Sequence, residues 1–290
     1  MPLYKDQVAQ QLEDKKSEFS GELSKEAVKE YADAASDIFS QLSMQEIISE
    51  LDEKEYPGAL PTDEFEDAEG MVIPFNESTD WGSHEAVNLW AREQLEGVIT
   101  VAADGSQIDP VTEFEQPVGL VQVVWMANHH SASGEYDEEA VTAVLTPEDL
   151  LFEDPNTGHI QVDEQEVPLQ RFETEIRVLE KQIKEHSEDE NPPVVMYDGS
   201  LILSFIQMFD QMAQKRYSEA LSRLLAASKH HKVPVIGYVS GSKATELCNM
   251  LQNLDLVDTP QKVRDYQFLE ELMKSWGSRT PLFYAQRDHT

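Results

Sequence analysis

The sequence predicts an α/β protein, with a mixed β-sheet flanked by helices and a helical region at its N-terminal end. Three observations predict it. Two short apolar runs, at 98–103 and 194–197, are each followed by Asp-Gly-Ser: Asp104-Gly105-Ser106 and Asp198-Gly199-Ser200. A β-branched run closed by Asp-Gly reads as a buried strand that stops at a turn. Two more apolar runs, at 119–126 and 141–145, enclose a Ser-, Gly- and Asp-containing stretch and read as an antiparallel hairpin or meander. In the second half, strand and helix patterns alternate, as parallel crossover units require.

The elements follow in order. Residues 3–50 are rich in Ala, Glu, Lys and Gln, and Val28, Tyr31, Ala32 and Ala35 recur at helical spacing. Ser24 reads as a helix start. Ile38, Leu42, Met44, Ile47, Ile48 and Leu51 mark a second amphipathic stretch. This region reads as a helical lid or partner-binding arm without chemistry of its own. Residues 52–80 are acidic and broken by Pro57, Gly58, Pro61 and Pro74, the pattern of a loop. A short helix is expected over 81–96, with Ala86, Leu89, Trp90 and Leu95 on its apolar side. The helix signal at 165–186 is strong: Leu169, Phe172, Ile176, Leu179 and Ile183 keep a three-or-four spacing. A long helix at 201–227, a strand at 234–239 and a helix at 243–251 complete the reading. The expected division is an N-terminal helical and acidic region, 1–95, and a domain from 96 to 290. Meander first and crossovers later is the strand pattern of a ribonuclease H-like fold, although periodicity alone does not single it out.

Composition narrows the function. At 290 residues and 40% hydrophobic content the chain can bury a full core. No uncharged run approaches the length of a membrane span. Cys248 is the only cysteine, which excludes an intrachain disulfide and a cysteine zinc cluster. With no basic-then-apolar leader pattern after Met1, a cytoplasmic location is expected. The net charge of −34 opposes non-specific binding to nucleic acid. Its distribution is uneven: residues 1–70 carry 6 basic and 19 acidic side chains, 71–190 carry 5 and 27, and 191–290 carry 11 and 10. A nucleic-acid surface is therefore expected only in the final third, which holds Lys215, Arg216, Arg223, Lys229 and Lys243.

Asp104 and Asp198 lead the candidates for chemistry. Two aspartates ending neighbouring strands can share a divalent metal, because Mg²⁺ and Mn²⁺ prefer carboxylate oxygens. On its own, Asp-Gly is ordinary turn punctuation. A third ligand is expected from the 165–186 helix, which delivers Glu173, Glu175 and Glu180. Glu175 lies nearest the apolar stripe, with Glu180 next. His129-His130 and His230-His231 read as loop or element-end residues, and His289 as part of a frayed end. Ser106 and Ser200 lack a Gly-x-Ser-x-Gly elbow. No phosphate-binding loop of the Gly-x-x-x-x-Gly-Lys type occurs.

Taken together, the paired Asp-Gly-Ser motifs, the Arg171-Phe172-Glu173-Thr174-Glu175 helix, and the segments Val235-Ile236-Gly237-Tyr238-Val239 and Lys243-Ala244-Thr245-Glu246-Leu247 resemble the NurA nuclease family over about residues 97–290. The resemblance implies a ribonuclease H-like core and a homodimer. It implies a Mn²⁺-dependent nuclease, with Mg²⁺ the alternative ion, acting 5′-to-3′ on DNA ends and endonucleolytically on single strands. It implies a HerA-type hexameric translocase as partner in double-strand break repair. Carried over by residue, Asp104 and Asp198 match the family's metal-binding aspartates, and the helix acid is Glu175 or Glu180. Two departures stand out. Ser240 replaces a basic residue, for which Lys243 could substitute. The family's C-terminal histidine segment is not found, so the last part of the fold is expected to be missing. A catalytically silent interaction protein and a metal-dependent phosphohydrolase of small substrates are the competing readings.

Overall fold

The computed structural model describes residues 4–16, 25–75, 81–111, 115–154 and 157–286. Ser24 and His289 lie outside them. The first elements are α1 (Lys5–Asp14), α2 (Lys25–Gln41), α3 (Met44–Leu51), β1 (Gly58–Pro61) and α4 (Asp63–Asp67). Then come α5 (His84–Leu95), β2 (Thr100–Ile108), β3 (Gly119–Asn128), β4 (Tyr136–Leu145), α6 (Pro147–Leu150), β5 (Leu151–Glu153) and β6 (Ile160–Val162). The remainder is α7 (Glu166–Glu185), β7 (Val194–Asp198), a 3₁₀ turn (Ser204–Met208), α8 (Gln211–His231), β8 (Val235–Tyr238), α9 (Glu246–Asn253), α10 (Asp265–Leu272) and β9 (Phe283–Gln286). These elements form two compact units, one from residues 81–240 and one from 1–80 with 241–290. No helix among the described residues is long and apolar enough to cross a membrane.

The 81–240 unit is built on a five-stranded sheet of order β4-β3-β2-β7-β8. β2, β3 and β4 form an antiparallel meander, with Thr100 opposite Asn128 and Gly119 opposite Leu145. β7 runs parallel to β2, and β8 parallel to β7. A meander extended by two parallel crossover strands is the ribonuclease H-like mixed sheet that the strand pattern suggested. Period-2 alternation aims Val101, Ala103, Val121, Val123, Val195 and Tyr197 at one face. There they meet Leu169, Phe172, Ile176, Leu179 and Ile183 of α7, and Tyr217, Leu221 and Leu224 of α8. Burying each of these large side chains contributes about 1.5–3 kcal/mol. Arg216 of α8 ties the two helices together. It bonds Glu166 at 2.6 and 3.0 Å and Glu173 at 3.0 and 2.8 Å.

Three expectations about this unit change. Asp104-Gly105-Ser106 does not end a strand: β2 runs on to Ile108, because β3 pairs with it along that whole length. The weak strand signal at 141–145 belongs to a longer strand, β4, that pairs with all of β3. The single helix expected at 201–227 is a 3₁₀ turn followed by α8, which starts afresh where Asp210 accepts from the Met212 and Ala213 amides.

The second unit joins the two ends of the described chain. β1 and β9 pair antiparallel, from Gly58 opposite Gln286 to Pro61 opposite Phe283. Thus 52–80 is not simply a loop; its strand exists only through a partner near the other end of the sequence. Helices α2 and α3 are not a peripheral arm. Tyr31, Ala35, Ile38, Ile47 and Leu51 share a core with Leu247, Met250, Leu251 and Phe268. The Tyr31 and Phe268 rings stack at 6.0 Å. The compact units therefore divide the chain differently from a single cut at 95. Asp265 anchors this unit by accepting the first-turn amides of α9, Leu247 at 3.1 Å and Cys248 at 3.0 Å. It is 7% exposed, and burial raises its carboxyl above the ordinary range, although those amides pull it down.

Asp265→Ala leaves two buried amides without an acceptor. It is expected to lower stability by about 1–3 kcal/mol, read as a lower urea midpoint. An unchanged midpoint would show that the capping bonds contribute nothing.

Candidate metal centre

Asp104 sits in the middle of β2 on the face opposite Val101 and Ala103, and its side chain is exposed. Asp198 is the last residue of β7, also exposed. The parallel register places Ala103 beside Tyr197, so the next residues along, Asp104 and Asp198, are neighbours across adjacent strands. β7 stops there: Gly199 takes φ +153°, and a side chain on it would strike the Tyr197 ring at 2.9 Å. At the second Asp-Gly-Ser the expected turn is present. Ser200 Oγ accepts from the Ile202 amide within it.

Gly105 serves a different purpose from Gly199. A Cβ at 105 would lie 2.3 Å from Glu175 Oε1 and 2.7 Å from Arg171 Cγ. Glycine lets α7 lay these two side chains directly on β2. Arg171 Nε donates to Gln107 Oε1 at 2.9 Å, and its Nη1 donates to the Gly105 carbonyl at 3.1 Å and Glu175 Oε1 at 3.2 Å. Glu175 is only 8% exposed. Burial pushes its carboxyl up from 4.5 to about 7. Arg171 works against that rise, while the negative charges of Asp104 and Asp198 add to it.

The other helix glutamates are engaged elsewhere. Glu173 pairs with Arg216, and Glu180 with Lys184 and Arg223. Of the three, Glu175 carries an electrostatic link to both aspartates. Arg171 and Gln107 did not figure among the sequence candidates. The i,i+4 spacing of Arg171 and Glu175 was a usable signal. Nothing local could have paired Gln107 with a helix 64 residues on.

The remaining candidates fall outside this constellation. His129 pairs with Asp137 at 2.7 Å and His130 with Thr100 at 2.9 Å. His230 and His231 close the last turn of α8. Lys243 belongs to the 241–290 stretch of the other unit. The basic residues proposed as a nucleic-acid surface are partly spent within the unit. Arg216 is clamped, Arg223 faces Glu180 at 3.7 Å and Lys215 faces Glu219 at 3.7 Å.

The profile of the NurA domain matches residues 98–290. This chain belongs to the NurA family. Members of that family are nucleases of DNA end processing. No curated protein matches the sequence. Among solved structures the chain is similar to the protease–reverse transcriptase of prototype foamy virus, at 11% identity and a TM-score of 0.25. That match covers 55% of this chain and 20% of the viral one. It is also similar to Thermus thermophilus RuvC in complex with a Holliday junction substrate, at 12% identity and a TM-score of 0.20. That match covers 64% of this chain and 99% of RuvC.

In this NurA-family chain the donor set suits a hard divalent cation in kind, since all three groups are carboxylates and two of them raise the third. Among the described residues, however, no three His, Cys, Asp or Glu side chains are already gathered as a metal-holding group. The reason is visible at Gly105. Glu175 comes to β2 from the helix side and is held there by Arg171, while Asp104 projects from the other face.

Two outcomes follow from this geometry. Gly105→Ala should destabilise the protein by about 1–3 kcal/mol in urea unfolding, because the new methyl displaces Arg171 and Glu175. A neutral result would mean that the helix has room to retreat. The raised Glu175 carboxyl contributes stability below pH 4.5 that is lost as pH climbs to about 7. Relative to the parent in EDTA, Glu175→Gln should therefore gain thermal stability across that interval and hold a constant advantage above it. Parallel pH profiles would contradict the raised value.

Proposed function

We propose that the chain is a divalent-cation-dependent deoxyribonuclease that trims DNA ends. The observation that carries this reading is the placement of Asp104 and Asp198 side by side on parallel strands of a NurA-family domain, with Glu175 electrostatically linked to both. Asp104 and Asp198 would hold the ion through their exposed carboxylates, and Glu175 would supply the third carboxylate. When bound, the ion would polarise a phosphodiester oxygen and make a bound water acidic enough to attack at neutral pH. The protein's own groups do the rest. The Tyr197 ring packs edge-on against Phe172 at 6.3 Å, which backs the strand end with apolar surface.

Electrostatics favours dependence on a cation. A phosphate approaching three carboxylates in a chain of net charge −34 is repelled unless positive charge is brought to it. We assign that role to Mn²⁺, with Mg²⁺ as the alternative. The finer activity is a 5′-to-3′ exonuclease with single-strand endonuclease action, working as a homodimer in the cytoplasm with a HerA-type translocase during recombination. A second reading keeps the fold without catalysis: an interaction protein whose acidic surface binds a basic partner. The hold of Arg171 on Glu175 favours it.

End-labelled DNA separates the two. With Mn²⁺ the parent should degrade the ends, and Asp198→Ala should lose that activity about 100-fold or more with its circular dichroism unchanged. Equal cleavage by the variant would remove Asp198 from the site. A parent that never cleaves would favour the interaction protein.

A further inference from the structure

We infer that a cleft in the 81–240 unit docks a partner protein through an extended segment that carries arginines among apolar residues. The cleft has a volume of about 560 Å³, within the range of about 300–1,000 Å³ usual for ligand sites. Its lining is largely apolar. Pro110 and Val111 follow β2, Pro117 precedes β3, Val162 ends β6 and Pro168 lies in the first turn of α7. The apolar surface continues past the rim. Val162 stands opposite Leu151 and two residues from Ile160, so these three share one face of the β5–β6 hairpin. Ile160 is 71% exposed and Val111 41%. Single exposed apolar side chains are ordinary, but a continuous group of them marks a contact surface.

Charge decides what fits there. Asp109, Glu115 and Glu164 complete the lining, and all three are exposed. Asp109 accepts from Gln107 Nε2 at 2.8 Å. Among the described residues none of the three forms an ion pair, although Lys181 reaches Glu139 and Arg216 reaches Glu166. The cause lies in the sequence: residues 93–170 hold 17 acidic side chains and no lysine or arginine. This stretch has no cation of its own to offer the cleft. A polyanion is repelled from such a surface. Nor are three acids gathered, among the described residues, closely enough to hold one metal ion. Negative charge spread along an apolar cleft suits arginine instead. Its stem lies along apolar surface, while its planar guanidinium binds a carboxylate through two parallel bonds. Apolar residues between the arginines would cover Val162 and Ile160. The three lining prolines donate no amide, so the contact is made by side chains rather than by strand pairing. No lining residue belongs to the group formed by Asp104, Asp198 and Glu175, so the inference stands with either reading of that group.

The probe is a dye-labelled peptide of alternating arginine and valine, titrated into the full chain and followed by fluorescence anisotropy. Saturable binding is expected. Asp109→Asn/Glu115→Gln/Glu164→Gln should weaken it about tenfold or more, and Val162→Ser about threefold. The replaced side chains are exposed, so both variants should keep the circular dichroism of the parent. A charge-matched control, Glu26→Gln/Asp33→Asn/Asp37→Asn on α2, should bind the peptide as the parent does. An equal loss in that control would show a general attraction to an acidic protein and overturn the site. Equal affinity for a peptide of alternating arginine and glycine would remove the apolar half of the proposal and overturn it as well. Spermidine that displaces the peptide at equal concentration would make the occupant a small polyamine, not a protein segment. A parent that does not bind the arginine–valine peptide overturns the inference outright. The Asp104→Ala/Asp198→Ala pair should bind it unchanged, so a failed cleavage assay and a failed docking assay are separate results.

Discussion

Helix α7 lays the side chains of Arg171 and Glu175 against strand β2 at a glycine. A Cβ at position 105 would fall 2.3 Å from Glu175 Oε1 and 2.7 Å from Arg171 Cγ, so any side chain there would push those two groups from where they lie. Much else follows from that approach. It lets the apolar stripe of α7, from Leu169 to Ile183, settle on Val101 and Ala103. It buries Glu175 beside the strand that carries Asp104. It also brings Arg171 within reach of the Gly105 carbonyl and Gln107. Packing and site chemistry meet at one backbone position, because close-packed interiors leave no spare volume for a methyl group.

The charge of the protein gives this contact its consequence. With 22 basic against 56 acidic side chains, cations are scarce. Several in the central unit are used to bind elements together. Arg216 joins α7 to α8 through two carboxylates, and Arg171 joins α7 to β2. Bidentate guanidinium–carboxylate geometry suits this work better than a lysine would. A basic groove for DNA is not what these residues build.

Much of the architecture was legible because it is written in local periodicity. The alternation in β3, the three-or-four spacing in α7 and the apolar run of β8 all appear as elements close to where the pattern placed them. Where reading failed, the deciding partner was distant. β1 was lost among prolines and acids, since only pairing with β9 makes it a strand. Asp104-Gly105-Ser106 looked like a turn, as its twin at 198 is. The difference is that β3 continues to pair with β2 as far as Ile108, whereas the pairing of β7 with β2 ends at Tyr197. The helix expected over 201–227 is interrupted before α8, where the carboxylate of Asp210 caps a fresh start.

By itself, the sequence determined the kinds of acidic group and the elements that carry them: two aspartates on strands and glutamates on one helix, with no cysteine set beside them. Those follow from residue type and short-range spacing. Only the tertiary structure decided which glutamate is buried within the field of the aspartates and which cation sits beside it. Glu173, Glu175 and Glu180 are alike on a helical wheel near the apolar stripe. Arg216 takes the first, and Lys184 with Arg223 takes the third. Glu175 is left against Gly105 and under the field of Asp104 and Asp198. A carboxylate's role is set by the charges and the burial around it, and those come from segments that are far apart in the chain and adjacent only once it has folded.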